Sequence, residues 1–271
     1  METMLGFIFG LIFGSFLNVI IYRIPKNESI IYPSSHCQHC NTKLKPYHNI
    51  PIISWLFLKG KCAYCHHKIS IQYPLIELLS ALIVASIFAK YSFSVPVIYI
   101  SLSFLMLLAL SVIDFRYKMV PDSINLLAIF LAIIGAWTPY GIIENIKNAF
   151  LFAGGFTLLR FALSYYLTSS VYRAGLRTKT PWNKFYDRTP MVEAMGEGDI
   201  MVAATMGALL GVKLGLVAIF LSAVLALPVM LALRGRTQEE QRVPFVPFLA
   251  LATFIVFIFD SPILNYIEAN Y

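Results

Sequence analysis

Two aspartates stand where polar segments meet long apolar stretches of the chain. Asp199 closes the tetrapeptide Gly-Glu-Gly-Asp at 196–199, at the start of the apolar stretch 199–233. Asp114 follows the apolar stretch 95–113 and precedes basic and aromatic residues. Because a carboxylate is costly to place at the edge of a bilayer, its presence there indicates a function. Two such groups on one side of a membrane favour acid/base chemistry on a membrane-embedded substrate, which predicts a peptidase.

Two carboxylates at hydrogen-bonding distance would share one proton. The ionised member would act as general base on the water that attacks a peptide carbonyl. The protonated member would donate to the carbonyl oxygen and then to the leaving amine. The sequence does not divide these roles, because an interacting pair titrates as a unit. Asp114 and Asp199 are 85 residues apart, so only the fold can bring them together.

Local structure offers a second interpretation of both aspartates. Asp199 could cap a helix, where a carboxylate meets free N–H groups and the positive end of the dipole. Asp114 could mark the water boundary ahead of Pro121. Gly196 and Gly198 favour the functional interpretation, because glycine lets the backbone approach a substrate closely and adopt conformations closed to other residues.

Three further acidic residues lie at the ends of apolar stretches. Glu77 and Asp122 come early in theirs, so a helix-dipole or capping role is sufficient for each. A substrate contact by Glu77, and support of Asp114 by Asp122, remain open alternatives. Asp260 is interpreted as a boundary residue at the opposite membrane face.

All four cysteines lie between the first two apolar stretches, in two Cys-x-x-Cys pairs with 21 residues between them: Cys37 and Cys40, then Cys62 and Cys65. Two such pairs can place four thiolates around a tetrahedral zinc ion. The inferred compartment is reducing, and a segment with so little core gains stability from a metal. Two disulfides or four free thiols are the alternative, and iron or cadmium could occupy the same ligands. Four sulfur ligands leave no open position, which favours a structural zinc; the nearby histidines are interpreted as surface residues.

The composition is that of a membrane protein. Hydrophobic residues make up 58% of the 271 residues and charged residues 13%, against about 25% charged in soluble domains. Most apolar stretches approach the roughly 20 residues that a spanning helix needs. They are 4–21, 74–89, 95–113, 122–137, 148–168, 199–233 and 244–259. If 199–233 reverses near Gly211 and Gly215, the chain is an all-α polytopic protein of about eight transmembrane helices. A partial or re-entrant segment is the alternative.

The basic residues predict the orientation. Segments 23–73, 114–121, 169–198 and 234–243 hold 17 of the 21 lysine and arginine residues. By the positive-inside rule these segments face the cytoplasm, with the N-terminus outside. The net charge of +7 is then explained by topology and anionic lipid, and nucleic-acid binding is not expected. The first stretch lacks a basic start and a cleavage site, so we expect it to be retained.

These patterns predict four parts. Residues 1–22 form the first transmembrane helix and 23–73 a small cytoplasmic zinc-binding module. Residues 74–260 form a multi-span membrane peptidase domain, and 261–271 a short extracytoplasmic tail.

The motifs resemble those of the type IV prepilin leader peptidase/N-methyltransferase family, membrane aspartic peptidases of the Gly-x-Gly-Asp type. The similarity runs from about residue 10 to 210 and includes Asp114 with Pro121-Asp122. Its other motifs are GSFLNVIIYRIP at 14–25, PSSHCQHC at 33–40, NIPIISWL at 49–56, GKCAYC at 60–65, ISIQYPLIE at 69–77 and AMGEGD at 194–199.

The resemblance implies that Asp114 and Asp199 are the catalytic aspartates and that the four cysteines are the family's zinc ligands. It implies substrates that are prepilins or type II secretion pseudopilins, cut after a glycine at the cytoplasmic face of the inner membrane. It also implies methylation of the new N-terminal residue, with S-adenosylmethionine as donor. No Gly-x-Gly-x-x-Gly motif follows a strand, so methyl transfer is inferred from the resemblance and the cysteine module alone.

Two features depart from the family pattern. Met201 stands two residues after Asp199, where many relatives carry lysine, so the kinetics could differ. The segment 170–195 is longer than is common, with basic and aromatic residues interspersed. It suits a lipid headgroup region or a substrate contact, and a solvated loop is the alternative.

Two other classes of protein fit the sequence less well. A proton-coupled transporter predicts acidic residues near the bilayer midplane, whereas the apolar stretches here contain almost none. A zinc-containing membrane scaffold explains the cysteines but not the aspartates and their glycines. The peptidase accounts for both sets of residues.

Overall fold

The computed structural model describes residues 1–135, 141–173, 196–232 and 243–270. Within these ranges the regular elements are helices, and the cysteine segment adds two isolated antiparallel bridges. The α-helices are α1 (Glu2–Arg23), α2 (Ile53–Phe57), α3 (Gln72–Lys90), α4 (Val95–Tyr117), α5 (Asp122–Gly135), α6 (Ile142–Arg173), α7 (Glu197–Ala232), α8 (Val246–Ile258) and α9 (Asp260–Asn270).

The chain is an all-helical, multi-pass membrane protein, as predicted. Five helices in the described ranges are long and apolar enough to cross a bilayer. The pair α8 and α9, bent by 76°, would make a sixth span if it crosses as one unit, while α5 is a shorter apolar helix. The predicted count of eight is therefore not confirmed. The difference lies mainly in α5, whose 14 residues rise only about 21 Å, and in the 199–233 stretch.

Helix α7 contains a break at Gly211. The backbone there has φ 70° and ψ −172°, a conformation that glycine adopts far more easily than other residues. Gly207 and Gly215, on either side of the break, both lie against the ring of Phe152 in α6. In a straight helix they would be about 12 Å apart along the axis. The apolar stretch therefore bends at Gly211, where a reversal was predicted from the sequence.

Helices α1 and α3 are held together by three glycines spaced four residues apart on one face of α1. A Cβ at Gly10 would lie 2.5 Å from both the Ala81 Cα and the Ser80 carbonyl oxygen. Gly6 faces Phe88 and Gly14 faces Glu77 in the same way. Small residues at this spacing let helix backbones approach closely in membranes. The antiparallel contact places the last turns of α1 beside the first turns of α3.

The core is organised around α4 and α7. Helix α4 contacts α1, α3, α5 and α8, and its buried residues lie on most of its faces. Helix α7 contacts α5, α6, α8 and α9. Because α5 and α8 pack against both helices, they fix the end of α4 relative to the beginning of α7.

A polar cluster closes the opposite end of the bundle. Lys90 Nζ, at the end of α3, lies 2.6 Å from Asp260 Oδ1 and donates to the carbonyl oxygen of Phe257 at 2.7 Å. The Tyr91 hydroxyl donates to Asp260 Oδ2 at 2.9 Å. Asp260, interpreted from the sequence as a boundary residue, ties α9 to the end of α3.

Candidate active site and metal centre

Asp114 lies in the last turn of α4 and is 7% exposed. Its Oδ2 accepts a hydrogen bond from the backbone N–H of Val246 at 3.2 Å. Val246 is the first residue of α8, so the carboxylate meets the positive end of that helix dipole. This contact holds a buried carboxylate in place without neutralising it by an ion pair.

Asp199 lies in the first turn of α7 and is partly buried. Its carboxylate accepts a hydrogen bond from the backbone N–H of Gly196, the residue before the helix. This is the side-chain-to-backbone half of a capping box. Asp199 therefore caps the helix, as one interpretation of the sequence predicted. The same carboxylate also interacts with a second group.

That second group is Asp114. The two carboxylates lie close enough for their charges to interact. The fold thus brings together the two aspartates that the sequence singled out, one from the end of α4 and one from the start of α7. Two carboxylates whose charges interact can exchange protons with a substrate and a water molecule.

The two glycines beside Asp199 differ in their surroundings. Gly196 is exposed. Gly198 faces Val120, and a Cβ at Gly198 would overlap the Val120 side chain. The Gly198 carbonyl oxygen accepts a hydrogen bond from Asn125 Nδ2 at 3.1 Å. Gly198 therefore sets the packing of α7 against the segment before α5, a role that the tetrapeptide alone did not indicate.

Glu197, between these glycines, forms an ion pair with α6. Its Oε1 lies 2.9 Å from Arg160 Nη1, and the Glu197 side chain is 82% exposed. Arg160 therefore lies level with the Gly-Glu-Gly-Asp segment. Met201 follows within α7 and is half-buried. Residues 174–195 of the basic, aromatic segment predicted to contact headgroups or substrate lie outside the described residues.

The four cysteines form one cluster. The sulfur atoms of Cys37, Cys40, Cys62 and Cys65 all lie within 4.8 Å of one another, and the thiols are free. Cys37 Sγ and Cys65 Sγ are 3.8 Å apart. A tetrahedral zinc with Zn–S bonds of about 2.3 Å places its sulfur ligands about 3.8 Å apart. The donor set fits such an ion, and the separation is too long for a disulfide.

Each pair of cysteines is held by the same backbone turn. The N–H of Cys37 donates to the Thr42 carbonyl at 3.0 Å, and the N–H of Cys62 donates to the His67 carbonyl at 2.9 Å. Asn41 and His66, which follow the second cysteine of each pair, have φ of 54° and 55°. A hydrogen bond with the Thr42 hydroxyl lowers the pKa of the Cys40 thiol to about 6, whereas burial and the neighbouring thiols raise the pKa of the Cys65 thiol to about 11.

The cysteine module is anchored to the bundle through Glu77. This side chain is 7% exposed, and its Oε2 accepts the backbone N–H of Ile52 at 2.7 Å. Trp55 packs against Gly60, and its Nε1 donates to the Ile69 carbonyl at 3.3 Å. The sequence identified Glu77 as a helix-dipole residue, with a substrate contact as the open alternative; its contact with a loop 25 residues away depends on the fold.

The chain matches two family models. Residues 8–91 match the bacterial peptidase A24 N-terminal domain, and residues 101–231 match the type IV leader peptidase family. The boundary between the two matches falls near the start of α4, so the cysteine module with α1 and α3 forms one part and the aspartates belong to the other. No solved structure matches this chain.

The chain is also similar to curated proteins over most of its length. A prepilin leader peptidase/N-methyltransferase of Neisseria gonorrhoeae is 32% identical, over 93% of this chain and 89% of the relative. The protein of that name from Bacillus subtilis (strain 168) is also 32% identical, over 96% of this chain and 95% of the relative. One from Dichelobacter nodosus is 29% identical, over 97% and 95%. The chain therefore belongs to the type IV leader peptidase family, as a membrane enzyme with peptidase and methyltransferase activity.

Proposed function

We propose that this enzyme removes the leader from type IV prepilins or type II secretion pseudopilins with Asp114 and Asp199, and then methylates the new N-terminal amine with S-adenosylmethionine. The observation that carries the proposal is the interaction of these two carboxylates, which lie 85 residues apart in sequence on two different helices. The names of the relatives supply the substrate class and the second activity.

The aspartates would act as a pair with one shared proton. The ionised carboxylate takes a proton from water as the water oxygen bonds to the scissile carbonyl carbon. The protonated carboxyl donates to the carbonyl oxygen and, as the C–N bond breaks, a proton passes to the leaving amine. The N–H groups of Val246 and Gly196 keep each carboxylate oriented through this exchange.

The proposed location is the cytoplasmic face of the inner membrane, with the N-terminus outside. The basic segments support this orientation, because they include the cysteine module and the residues that follow Asp114. Water would reach the pair from that face, since hydrolysis needs water where lipid excludes it. The apolar helix of the prepilin would dock sideways against the bundle, within the membrane domain of residues 74–260.

A zinc ion held by Cys37, Cys40, Cys62 and Cys65 would stabilise the module of residues 23–73. The spacing of the sulfur atoms supports this assignment. With four protein ligands the ion has no position left for a substrate, so its contribution is to folding.

The test is cleavage of a prepilin reconstituted in lipid vesicles with the enzyme, with product masses recorded. We expect wild type to release the leader and, with S-adenosylmethionine, to add about 14 Da to the mature pilin. Asp114→Asn and Asp199→Asn keep the shape of each side chain and remove its titration, so each should reduce cleavage by at least about 10³-fold. Undiminished cleavage by either variant would overturn the catalytic pair. Intact leader after incubation of folded wild type with several prepilins would overturn the substrate class.

A further inference from the structure

A cavity of about 430 Å³ lies between the cysteine module and the ends of α1 and α3. It lies within the part of the chain that matches the N-terminal domain model, and the residues lining it do not include Asp114 or Asp199. Pockets of roughly 300–1,000 Å³ are the usual size for small-molecule ligands. The cavity is therefore a second site, large enough for a nucleoside-sized molecule.

Glu77 gives this cavity a buried carboxyl group. Its carboxylate accepts hydrogen bonds from the Ile52 N–H and the Ser15 hydroxyl. In the described part of the chain it forms no ion pair with lysine or arginine. Arg23, which also lines the cavity, donates instead to the carbonyls of Ser29 and Pro33 at 2.8 and 2.7 Å. A buried carboxylate without a cation is costly, so a cationic ligand would complement it.

Asn18 adds a buried acceptor that lacks a partner. Its side chain is 3% exposed, and Nδ2 donates to the carbonyls of Gly14 at 3.3 Å and Tyr73 at 3.1 Å. These two bonds fix the amide and leave Oδ1 buried with no hydrogen bond among the residues that the structure describes. Because an unpaired buried acceptor costs about 1–3 kcal/mol, Oδ1 is suited to an N–H or O–H group of a ligand.

Aromatic side chains line the same space: Tyr22 from α1, Trp55 from the module and Tyr73 from α3. Such faces stack against flat heterocycles and attract cations. A ligand that combines a purine, hydroxyl or amine donors and a positive charge would meet each group described above. S-adenosylmethionine has this combination, since its sulfonium carries a permanent charge.

We propose that the cavity between the cysteine module and the ends of α1 and α3 binds S-adenosylmethionine, with Glu77 facing its cationic part and Asn18 Oδ1 accepting one of its polar hydrogens. The inference rests on the proposed methyl transfer and assigns that activity a site. It accounts for the position of the module, which forms one wall of the cavity.

Tyr73, which lines the cavity, interacts with the segment that follows Asp114. Arg116, two residues after Asp114, is close enough to Tyr73 for their charges to interact. In this proposal the N-terminus released by Asp114 and Asp199 moves to the cavity. There the uncharged amine nitrogen forms a bond to the methyl carbon as the C–S bond breaks. The electron pair of that bond goes to sulfur, one proton leaves the nitrogen for solvent, and the products are N-methylated pilin and S-adenosylhomocysteine.

The first test is calorimetric binding to the full-length protein in lipid nanodiscs. The ligands are S-adenosylmethionine, its amine analogue sinefungin, which is also cationic at the reacting centre, and S-adenosylhomocysteine, which is neutral there. Glu77→Gln retains an acceptor for the Ile52 N–H and removes the charge. We expect this variant to reduce the affinity for the two cationic ligands by at least about tenfold. The affinity for S-adenosylhomocysteine should fall by less than about threefold. The matched control is Glu144→Gln, whose carboxylate pairs with Lys147 on the surface and which should leave all three affinities unchanged.

An equal loss of affinity for all three ligands, or no loss of affinity for any of them, would overturn the role of Glu77. Prepilin cleavage, which depends on the aspartates, is measured on the same samples, and Glu144→Gln should cleave as wild type does. If wild type cleaves and methylates while Glu77→Gln binds normally, the site is wrong and the proposed function stands. If wild type binds none of these ligands and does not methylate, the methyl-transfer half of the proposed function fails.

A second test needs no variant. Ultraviolet cross-linking of S-adenosylmethionine labelled in its methyl group, followed by peptide mapping, should mark peptides that contain Tyr22, Trp55 or Tyr73. Excess sinefungin should prevent the labelling. Labelling confined to peptides outside the cavity lining would overturn the proposal.

Discussion

Asn125 Nδ2 donates a hydrogen bond to the carbonyl oxygen of Gly198 at 3.1 Å, joining α5 to the first turn of α7. Asn125 is fully buried, and its Oδ1 has no hydrogen-bond partner within the described ranges. The bond acts one residue before Asp199, so it positions that carboxylate without touching the reacting atoms. A buried amide in this place is better explained by orientation of the active site than by packing alone.

Replacement of this amide by a similar apolar volume should therefore reduce catalysis more than stability. We expect Asn125→Leu to lower kcat for leader cleavage by about fivefold, since a buried hydrogen bond contributes about 1 kcal/mol and the start of α7 is then free to shift. KM should change by less than about twofold, because the docking surface for the prepilin helix is unaltered. The measurement is steady-state cleavage in nanodiscs.

A purely structural role for Asn125 would give a different result. It would lower the melting temperature and the fraction of active enzyme while leaving kcat per active molecule unchanged. Asn27→Asp is the control, because Asn27 is exposed and adopts a left-handed conformation that aspartate also tolerates. It should behave as wild type in both assays.

The cysteine cluster predicts a bound metal whose loss has a local effect. Purified wild type should contain about one zinc ion per chain by plasma mass spectrometry, and Cys62→Ser should lose it. The affinity for S-adenosylmethionine should fall with the metal, because Trp55 and the loops around the cysteines form one wall of the cavity. His39→Ala is the control for zinc content alone, since His39 stacks on His67 at 4.3 Å and lines the cavity but does not belong to the sulfur cluster. A His39→Ala protein without zinc would show that the ligand set is wrong.

The close contact of α1 with α3 predicts a sensitive position in the membrane. A Cβ at Gly10 would press on the backbone of Ser80 and Ala81, which has no rotamer to change. Gly10→Ala should therefore lower the free energy of unfolding by about 1–3 kcal/mol, the usual cost of overpacking. Gly154→Ala is the matched control, because nothing lies within 4 Å of a Cβ there and alanine is the better helix former. Thermal unfolding in detergent compares the two variants. Equal melting temperatures would show that α1 and α3 can move apart without loss of stability.

The parts of the site that could be predicted from sequence are those in which residue type alone carries the chemistry. Carboxylates at the edges of apolar stretches and paired cysteines are rare enough to be recognised before any contact is known. Asn18, Asn125 and the link between Glu77 and Ile52 could not be predicted in the same way. Their roles come from contacts with residues that are 55, 73 and 25 positions away, respectively. Only the packing of the helices creates these contacts.

The number of spans was harder to predict for a related reason. Hydropathy reports how apolar a stretch is, but not whether its helix bends or ends early. The break at Gly211 lies between Gly207 and Gly215, which both pack against Phe152. The glycine pattern of α1 carried a readable signal, Gly6, Gly10 and Gly14 at four-residue spacing, which marks a helix–helix contact in membranes.

Gly198 allows a sharper test than Gly10, because the atom it approaches belongs to a side chain that can be removed. A Cβ at Gly198 would overlap the Val120 side chain, so Gly198→Ala should push the start of α7 away from α5. Displacement of Asp199 by even about 1 Å would weaken its interaction with Asp114 and could cost about 10²-fold in cleavage. Val120→Gly in the same chain removes the clash. The double variant should cleave at least about tenfold faster than Gly198→Ala alone. If Gly198→Ala is impaired and Val120→Gly does not restore it, Gly198 serves the substrate directly, as the sequence first suggested. If Gly198→Ala cleaves like wild type, the contact with Val120 does not position Asp199.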